Sequence, residues 1–294
     1  MDNPVQVFAN FKKEKDFLLC IDSDGCAFDA MEIKHKECFA PNFIKYWNLQ
    51  AVSRYAREVW EYVNLYSNTR GCNRFHALIR CLNLLAERPD VLERGYKPPD
   101  ITSLRQWTAN ETQLSNPALK CAVDATGDAI LAQTLEWTIA VNRSIGEMIH
   151  GVPPFTHVRE VLEKAFAYAD LMVVSATPEE ALKREWNEHG LTRYMKLIAG
   201  QEAGTKKEHI HLAMAGRYEN SKVIKLGDAP GDLEAARANG VNFYPILPGR
   251  EEESWKRFLE EGLDKFLNGK YAGQYEDRLI AEFTACLPAE PSWK

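Results

Sequence analysis

The segment Phe17-Leu-Leu-Cys-Ile-Asp-Ser-Asp-Gly-Cys-Ala-Phe-Asp29 decides the fold expected of this chain. An apolar run of strand length ends at Asp22, a second carboxylate follows at Asp24, and Gly25 turns the chain. Strand alternation places the two aspartates on the same side, where their charges repel each other unless a cation lies between them. A carboxylate pair at the carboxyl end of a buried strand, where α/β sheets bind ligands, therefore indicates a hard metal ion and a reacting centre. The alternative is a strand that runs into an Asp-rich turn.

Three later segments have the same form, an apolar run or helix start that brings polar residues to the end of an element. The first, Leu171-Met-Val-Val-Ser-Ala-Thr-Pro178, ends its apolar run at Ser175. The second, Gly204-Thr-Lys-Lys-Glu-His209, supplies a lysine where a helical pattern begins. The third, Val223-Ile-Lys-Leu-Gly-Asp-Ala-Pro-Gly-Asp232, ends in two more carboxylates.

Taken in order, the four segments resemble the four motifs of the haloacid dehalogenase-like (HAD) hydrolase superfamily. These motifs are a DxD nucleophile strand, a strand that ends in Ser or Thr, a lysine, and a GDxxxD acidic end. The resemblance covers residues 17–30 and about 152–248, and the tract from Asp22 to Asp29 is similar to the family's DxDGTxxD. Cys26 departs from the pattern, since the family usually has Thr or Val at this mainly structural position. The resemblance implies an α/β fold with a HAD-like, Rossmann-type core.

Length and composition restrict the class of protein. With 294 residues and 45% apolar side chains, the chain is expected to form one large or two modest domains with a packed core. The net charge of −6 argues against nonspecific binding to nucleic acid or to an anionic membrane. The seven cysteines form no C-x-x-C pair and are odd in number, which predicts reduced thiols. Without a signal-like N-terminus or an apolar run of membrane-spanning length, the sequence predicts a cytoplasmic protein.

Two periodic patterns divide the chain. Residues 152–248 alternate between strand and helix and, with Leu18–Ile21, give about five short strands, which predicts a doubly wound parallel sheet covered on both faces. Residues 30–150 carry repeated helical stripes instead, and a helical block inserted just after the first strand matches the cap of many superfamily members. We therefore expect a catalytic core of residues 1–30 and 151–250, an inserted α-helical cap domain at 31–150, and a C-terminal helical extension at 251–294.

The resemblance gives each candidate catalytic residue a role. Asp22 would attack phosphorus and form an aspartyl-phosphate, and Asp24 would protonate the leaving oxygen and later take a proton from water. The superfamily's halide-removing enzymes lack the second Asp, so its presence favours phosphate esters over carbon–halogen bonds. Ser175 can donate a hydrogen bond to a phosphoryl oxygen. Of the two lysines that could offset the negative charge, Lys206 is preferred to Lys207 because it comes first at the expected helix start.

The same resemblance implies Mg²⁺ as the cofactor. Asp22, the main-chain carbonyl of Asp24, and Asp228 would hold the ion, and Asp232 would act directly or through a water. The alternative for Asp228 and Asp232 is an acidic residue that favours a helix N-terminus.

Residues that select the substrate are expected in the predicted cap, because the core motifs contact only the phosphate. Arg70 and Arg74 lie in a break between two helical stripes and are candidate contacts to an anionic or hydroxylated substrate. Solvated arginines at helix ends are the alternative. Lys34 and His35 follow the first hinge, near the position where a cap residue aids catalysis in the related sugar-phosphate mutases.

The sequence thus predicts a Mg²⁺-dependent phosphatase that hydrolyses a small phosphorylated metabolite through an aspartyl-phosphate on Asp22. One alternative is a phosphomutase of the same superfamily that acts on a sugar phosphate and shares every core motif. Another is a non-catalytic binding protein on this fold, against which the intact carboxylates argue. The expected partner is a small metabolite rather than nucleic acid or membrane, with homo-oligomerisation left open.

Overall fold

Five parallel strands form one sheet in the computed structural model, which describes residues 8–294. The strands are β1 (Phe17–Ile21), β2 (Ala169–Val174), β3 (Leu197–Ala199), β4 (Val223–Gly227) and β5 (Asn242–Pro245). They lie in the order β3-β2-β1-β4-β5. The strand with the first motif is therefore central, flanked by the strands that end in the second and fourth motifs. The predicted parallel α/β sheet is confirmed.

The chain divides into two compact units. The described residues up to Met31 together with His150–Leu287 form what we call the sheet unit. Glu32–Ile149 and Pro288–Lys294 form what we call the helical unit. Within the described part of the chain, no helix combines the length and the apolar character needed to cross a membrane.

Helices cover both faces of the sheet. Leu19 and Ile21 of β1 enter the core on one face, whereas Leu18 and Cys20 enter the core on the other. All four side chains are fully buried, which explains why β1 reads as a continuous apolar run rather than as an alternating one. The α-helices of the sheet unit are Val158–Phe166, Glu179–Glu188, Lys206–Met214, Pro230–Asn239, Glu251–Arg257, Leu263–Leu267 and Gln274–Ala285.

Residues 251–287 do not form a body of their own. Trp255, Phe258 and Tyr271 are buried in the same core as Ile21 of the central strand. Most of the region expected as a C-terminal extension thus completes one face of the sheet unit. Its pattern predicted amphipathic helices, but only the three-dimensional packing shows which apolar face they cover.

The helical unit is an all-α bundle around an aromatic core. Trp60 and Trp137 are fully buried, and their rings meet edge to face with centroids 5.8 Å apart. Ser115 caps a helix by accepting from the backbone of Ala118, as the Ser-x-Pro sequence predicts. The α-helices of this unit and its boundary are Met31–Ile33, Ala40–Tyr46, Ser53–Leu65, Arg74–Glu87, Pro89–Leu92, Thr102–Asn110, Asn116–Thr126 and Ala129–Met148, with a π-helical turn at Lys34–Phe39.

The last residues of the chain pack on the helical unit. The Tyr62 hydroxyl donates to the Pro288 carbonyl at 3.3 Å, and the Trp293 ring meets the Tyr62 ring edge to face at 5.3 Å. The Arg88 guanidinium lies over the Trp293 ring at 4.7 Å. The chain therefore passes between the two units a third time, after Leu287.

Candidate active site

Asp22 lies at the carboxyl end of the central strand, in a turn held from several sides. Its backbone N–H donates to the Leu226 carbonyl of β4 at 3.0 Å, which continues the parallel ladder by one residue. Ser23, also fully buried, accepts from Trp186 Nε1 and donates to a Glu185 carboxylate oxygen, both at 2.9 Å. Gly25 then reverses the chain at a φ of 74°, a conformation that glycine adopts without steric cost.

A second brace on this turn comes from the C-terminal region. Trp255 Nε1 donates to the Cys26 carbonyl at 2.7 Å, and the Cys26 side chain is fully buried in the sheet-unit core. The cysteine that departs from the family pattern therefore packs inward. Burial, followed by the charges of Asp228 and Asp22, raises the pKa of its thiol. Cys26 is thus a neutral packing residue, consistent with the structural role expected of this position.

Three aspartates converge at the carboxyl edge of the sheet. Asp22, Asp228 and Asp232 each offer a carboxylate oxygen, and these oxygens lie within 4.8 Å of one another. All three side chains are buried, with exposures of 4%, 1% and 0%. Lys206 Nζ lies 2.5 Å from Asp22 Oδ2 and 2.8 Å from Asp232 Oδ1. The structure therefore brings together four sequence candidates from three separate segments.

Local sequence explains how Lys206 and Asp232 reach this cluster. Thr205 and Glu208 form a reciprocal capping box, which fixes Lys206 as the first residue of its helix. Gly227 precedes Asp228 at the end of β4, and a Cβ atom there would lie 2.3 Å from the Asp232 carboxylate carbon. The glycine of the GDxxxD motif is thus required by the close approach of Asp232.

The pKa shifts in the cluster indicate that its carboxylates would be stabilised by further positive charge. Burial, followed by the Asp232 carboxylate, raises the pKa of Asp22, although Lys206 opposes the rise. Burial also acts to raise the pKa of Asp232, but Lys206 and Lys225 outweigh it and lower that pKa to about 2. For Lys206, burial is outweighed by the two carboxylates, which raise its pKa above the ordinary value. A bound divalent cation would favour the ionised form of Asp22.

The donor set fits Mg²⁺. Three carboxylates supply hard oxygen ligands, which Mg²⁺ prefers, and no nitrogen or sulfur ligand belongs to the group. Asp22 and Asp228 end neighbouring strands, and a cation bound by their oxygens would oppose the burial and the Asp232 charge that raise the pKa of Asp22.

Asp24 has a described partner that the sequence did not reveal. The Thr177 hydroxyl donates to Asp24 Oδ2 at 2.8 Å, and the Thr177 backbone N–H donates to the Ser175 hydroxyl oxygen at 3.3 Å. Ser175 lies just after β2, with 3% of its surface exposed. Thr177 thus links two sequence candidates. The Ser-Ala-Thr spacing could have suggested it, because residues two apart at a strand end share a side.

Lys225 was also missed. It lies within β4 in the otherwise apolar run Val-Ile-Lys-Leu, and its side chain is fully buried 2.9 Å from Asp232 Oδ1. A lysine inside a buried strand is itself a signal, because a buried charge requires a partner. Lys207, by contrast, has an exposed side chain one residue beyond Lys206.

The four residues proposed for substrate binding belong to the helical unit. Arg70 is buried and donates to the Leu65 carbonyl at 2.9 Å, and Arg74 donates to Thr138 and Asn142 at 2.8 and 2.6 Å. Neither arginine is simply solvated.

The other two candidates lie next to each other in the π-helical turn of the helical unit. His35 stacks on Phe39 with ring centroids 4.7 Å apart and accepts from Trp60 Nε1 at 3.2 Å, and Lys34 is half-buried. A substrate role for any of the four residues stays a prediction.

Comparison with known proteins agrees with the motifs. The family model described as haloacid dehalogenase-like hydrolase matches residues 102–246, just under half of the chain. This match includes Ser175, Lys206, Asp228 and Asp232, whereas Asp22 lies before it. No curated protein matches the chain.

Several solved structures overlap with most of the chain at low similarity. A haloacid dehalogenase-like hydrolase from Streptococcus pneumoniae has 15% identity and a TM-score of 0.47, over 91% of this chain and 98% of its own. A candidate phosphoglycolate phosphatase from Lactobacillus delbrueckii subsp. bulgaricus has 14% identity and a TM-score of 0.49, over 88% and 100%. A candidate phosphatase from Clostridium difficile has 18% identity and a TM-score of 0.42, over 80% and 86%. These overlaps are too distant to assign a substrate.

Four motifs in order, their convergence at one edge of a parallel sheet, and the family-model match point to the same conclusion. Over residues 102–246 the chain is similar to the haloacid dehalogenase-like hydrolases, in agreement with the four motifs.

Proposed function

We propose that the chain is a Mg²⁺-dependent phosphatase that hydrolyses a small phosphorylated metabolite through an aspartyl-phosphate on Asp22. The observation that carries the proposal is the buried Asp22 carboxylate, which contacts Lys206 at 2.5 Å and lies beside Asp228 and Asp232. Phosphoryl transfer needs positioning and charge neutralisation above all, and this cluster supplies both. When bound, Mg²⁺ would be held by Asp22 and Asp228, with Asp232 nearby, and would offset charge on the phosphoryl oxygens.

The chemistry assigned to the chain's own residues has two steps. In the first, a carboxylate oxygen of Asp22 attacks phosphorus, the phosphorus–ester oxygen bond breaks, and Asp24 gives its proton to the departing alkoxide. In the second, water attacks phosphorus, Asp24 takes a proton from that water, and the phosphorus–Asp22 bond breaks. This step releases inorganic phosphate and restores the Asp22 carboxylate. Thr177 orients Asp24 for both proton transfers, while Lys206 stabilises the negative charge.

The cysteines support a cytoplasmic location as part of this proposal. All seven are free thiols, and Cys20, Cys26, Cys38 and Cys81 are buried. A reducing compartment maintains cysteines in this state.

The proposal assigns substrate selection to the helical unit acting as a cap. Arg74 is the most favourable of the four candidates there, because it lies at a helix start and is half-buried. Its guanidinium carries five N–H donors, and its described side-chain hydrogen bonds to Thr138 and Asn142 both come from Nη1.

Asp22→Asn tests the proposal against a matched control, Asp16→Asn, at the other end of the same strand. Asp16, just before β1, has 73% of its side chain exposed, whereas Asp22 follows β1 and is buried. In assays with a panel of phosphorylated metabolites and Mg²⁺, Asp22→Asn should lose phosphate release and Asp16→Asn should retain it. Equal activity of both variants would refute the nucleophile. Conversion of a sugar 1-phosphate to its isomer, without phosphate release, would instead support the phosphomutase alternative.

A further inference from the structure

Lys225 places a second, fully buried ammonium group beside the carboxylate cluster. Its Nζ lies 2.9 Å from Asp232 Oδ1, 3.0 Å from the Leu226 carbonyl and 3.3 Å from the Val174 carbonyl. An ammonium group has three protons, and these three acceptors use all of them. Lys225 therefore has no donor left for a substrate, so its role lies in what it holds in place.

The side chain of Lys225 connects strands that are not neighbours. Val174 ends β2 and Lys225 belongs to β4, whereas β1 lies between these strands. In the register, Cys20 of β1 is the partner of Lys225, and the Lys225 ammonium reaches past β1 to the Val174 carbonyl of β2. Lys225 thus joins the strand ends that precede Ser175 and Asp228, on either side of the strand that ends at Asp22.

Asp232 is the carboxylate that Lys225 constrains. Its Oδ1 accepts from both Lys206 and Lys225, and its Oδ2 accepts from the Ala229 backbone at 3.3 Å. A carboxylate has about four acceptor positions, so these contacts occupy three of them. Direct coordination of a cation is therefore left chiefly to Asp22 and Asp228.

We propose that Lys225 is a positioning residue that fixes Asp232 as an ion-pair partner. Its charge also weakens metal binding and helps the site to accommodate the phosphate dianion. This inference rests on the proposed function, because it assumes that the cluster binds Mg²⁺. The three carboxylates have two ammonium groups beside them, the fully buried Lys225 and the partly buried Lys206. The metal-free cluster therefore carries less negative charge than it would with Lys206 alone. Charges interact strongly at a buried site, so removing one of the ammonium groups should change the affinity for the metal.

The test measures Mg²⁺ binding by calorimetry without substrate, together with turnover. Lys225→Met removes the charge but keeps an unbranched side chain that is one atom shorter. It should bind Mg²⁺ about tenfold or more tightly, while kcat falls by at least about tenfold. The control is Lys222→Met, since Lys222 precedes β4 and pairs with Glu219 on the surface at 3.8 Å. It should change neither quantity. A purely structural role for Lys225 would weaken metal binding and turnover together.

Each outcome decides between the two proposals. If the unaltered protein binds no Mg²⁺, the metal part of the proposed function is wrong. If it binds Mg²⁺ but Lys225→Met binds no more tightly, only the role of Lys225 is refuted. Should Lys225→Met fail to fold, Lys225→Gln gives the same reading, because its amide is neutral but can still donate to a carbonyl of Val174 or Leu226.

Discussion

Thr177→Val removes a hydroxyl that donates to Asp24 Oδ2 at 2.8 Å, with little change in side-chain shape. A hydrogen bond to a charged group contributes about 1.5–3 kcal/mol. At 1.4 kcal/mol for each factor of ten, losing it corresponds to about 10–150-fold. General acid catalysis as a whole is worth roughly 10²–10⁴-fold, so a mispositioned Asp24 cannot cost more than that. We therefore expect kcat/KM for an alkyl phosphate to fall about 10–100-fold.

The assay compares two leaving groups. An alkyl alkoxide needs a proton from Asp24, whereas an activated aryl oxide leaves without one, so kcat/KM for an aryl phosphate should change much less. Thr156→Val is the control, because it removes another threonine hydroxyl of the sheet unit, one that donates to Glu252 at 2.7 Å. An equal loss on both substrates, or no loss on either, would refute the role assigned to Thr177.

Three further predictions concern pH, stability and substrate selection. Burial chiefly lowers the pKa of His209 from 6.5 to about 4, so as the pH falls the unfolded chain takes up a proton first. The free energy of unfolding should therefore fall by up to about 3 kcal/mol between pH 6.5 and 4. Urea unfolding of His209→Leu should lack this part of the loss, and the same pH profile for the variant and the unaltered protein would contradict the prediction. Trp293→Ala should destabilise the helical unit by about 2 kcal/mol by removing the contacts to Tyr62 and Arg88, and an unaltered thermal transition would exclude this. Arg74→Ala should raise KM for the true substrate about tenfold while leaving a small aryl phosphate unaffected, which kinetics on both substrates would check.

The sequence predicted local structure well because local signals determine it. The helix Pro230–Asn239 begins at a proline and is followed by Gly240 at a φ of 62°. Both ends agree with the proline and glycine signals in the sequence. The parallel sheet followed from short apolar runs separated by helices. The family resemblance implied that Asp22 and Asp228 lie together, and the structure explains why, because the carboxyl ends of parallel strands meet at one edge.

What the sequence could not predict depends on contacts between distant segments. Thr177 and Asp24 are far apart in the chain, so the Ser-Ala-Thr spacing could place Thr177 beside Ser175 but could not show that its hydroxyl reaches the Asp24 carboxylate. Lys225 contacts β2 across β1, an arrangement that requires the strand order to be known. The C-terminal region is part of the sheet unit up to Leu287 and part of the helical unit from Pro288 onward. This assignment likewise depends on which apolar surfaces each segment packs against.

If Asp22 is the nucleophile, it carries a phosphoryl group during turnover, and this intermediate can be trapped. The enzyme is mixed with Mg²⁺ and a substrate identified in the metabolite panel, quenched in acid within the first turnover, and digested for peptide mass spectrometry. One added phosphoryl group is expected on the peptide that contains Asp22, and it should be absent from Asp22→Asn. With an aryl phosphate, which needs no proton from Asp24 to form the intermediate, it should accumulate to a higher level in Thr177→Val, because only the attack of water is slowed. Full phosphate release with no phosphoryl group on this peptide at any quench time, or with the group on another residue, would contradict it.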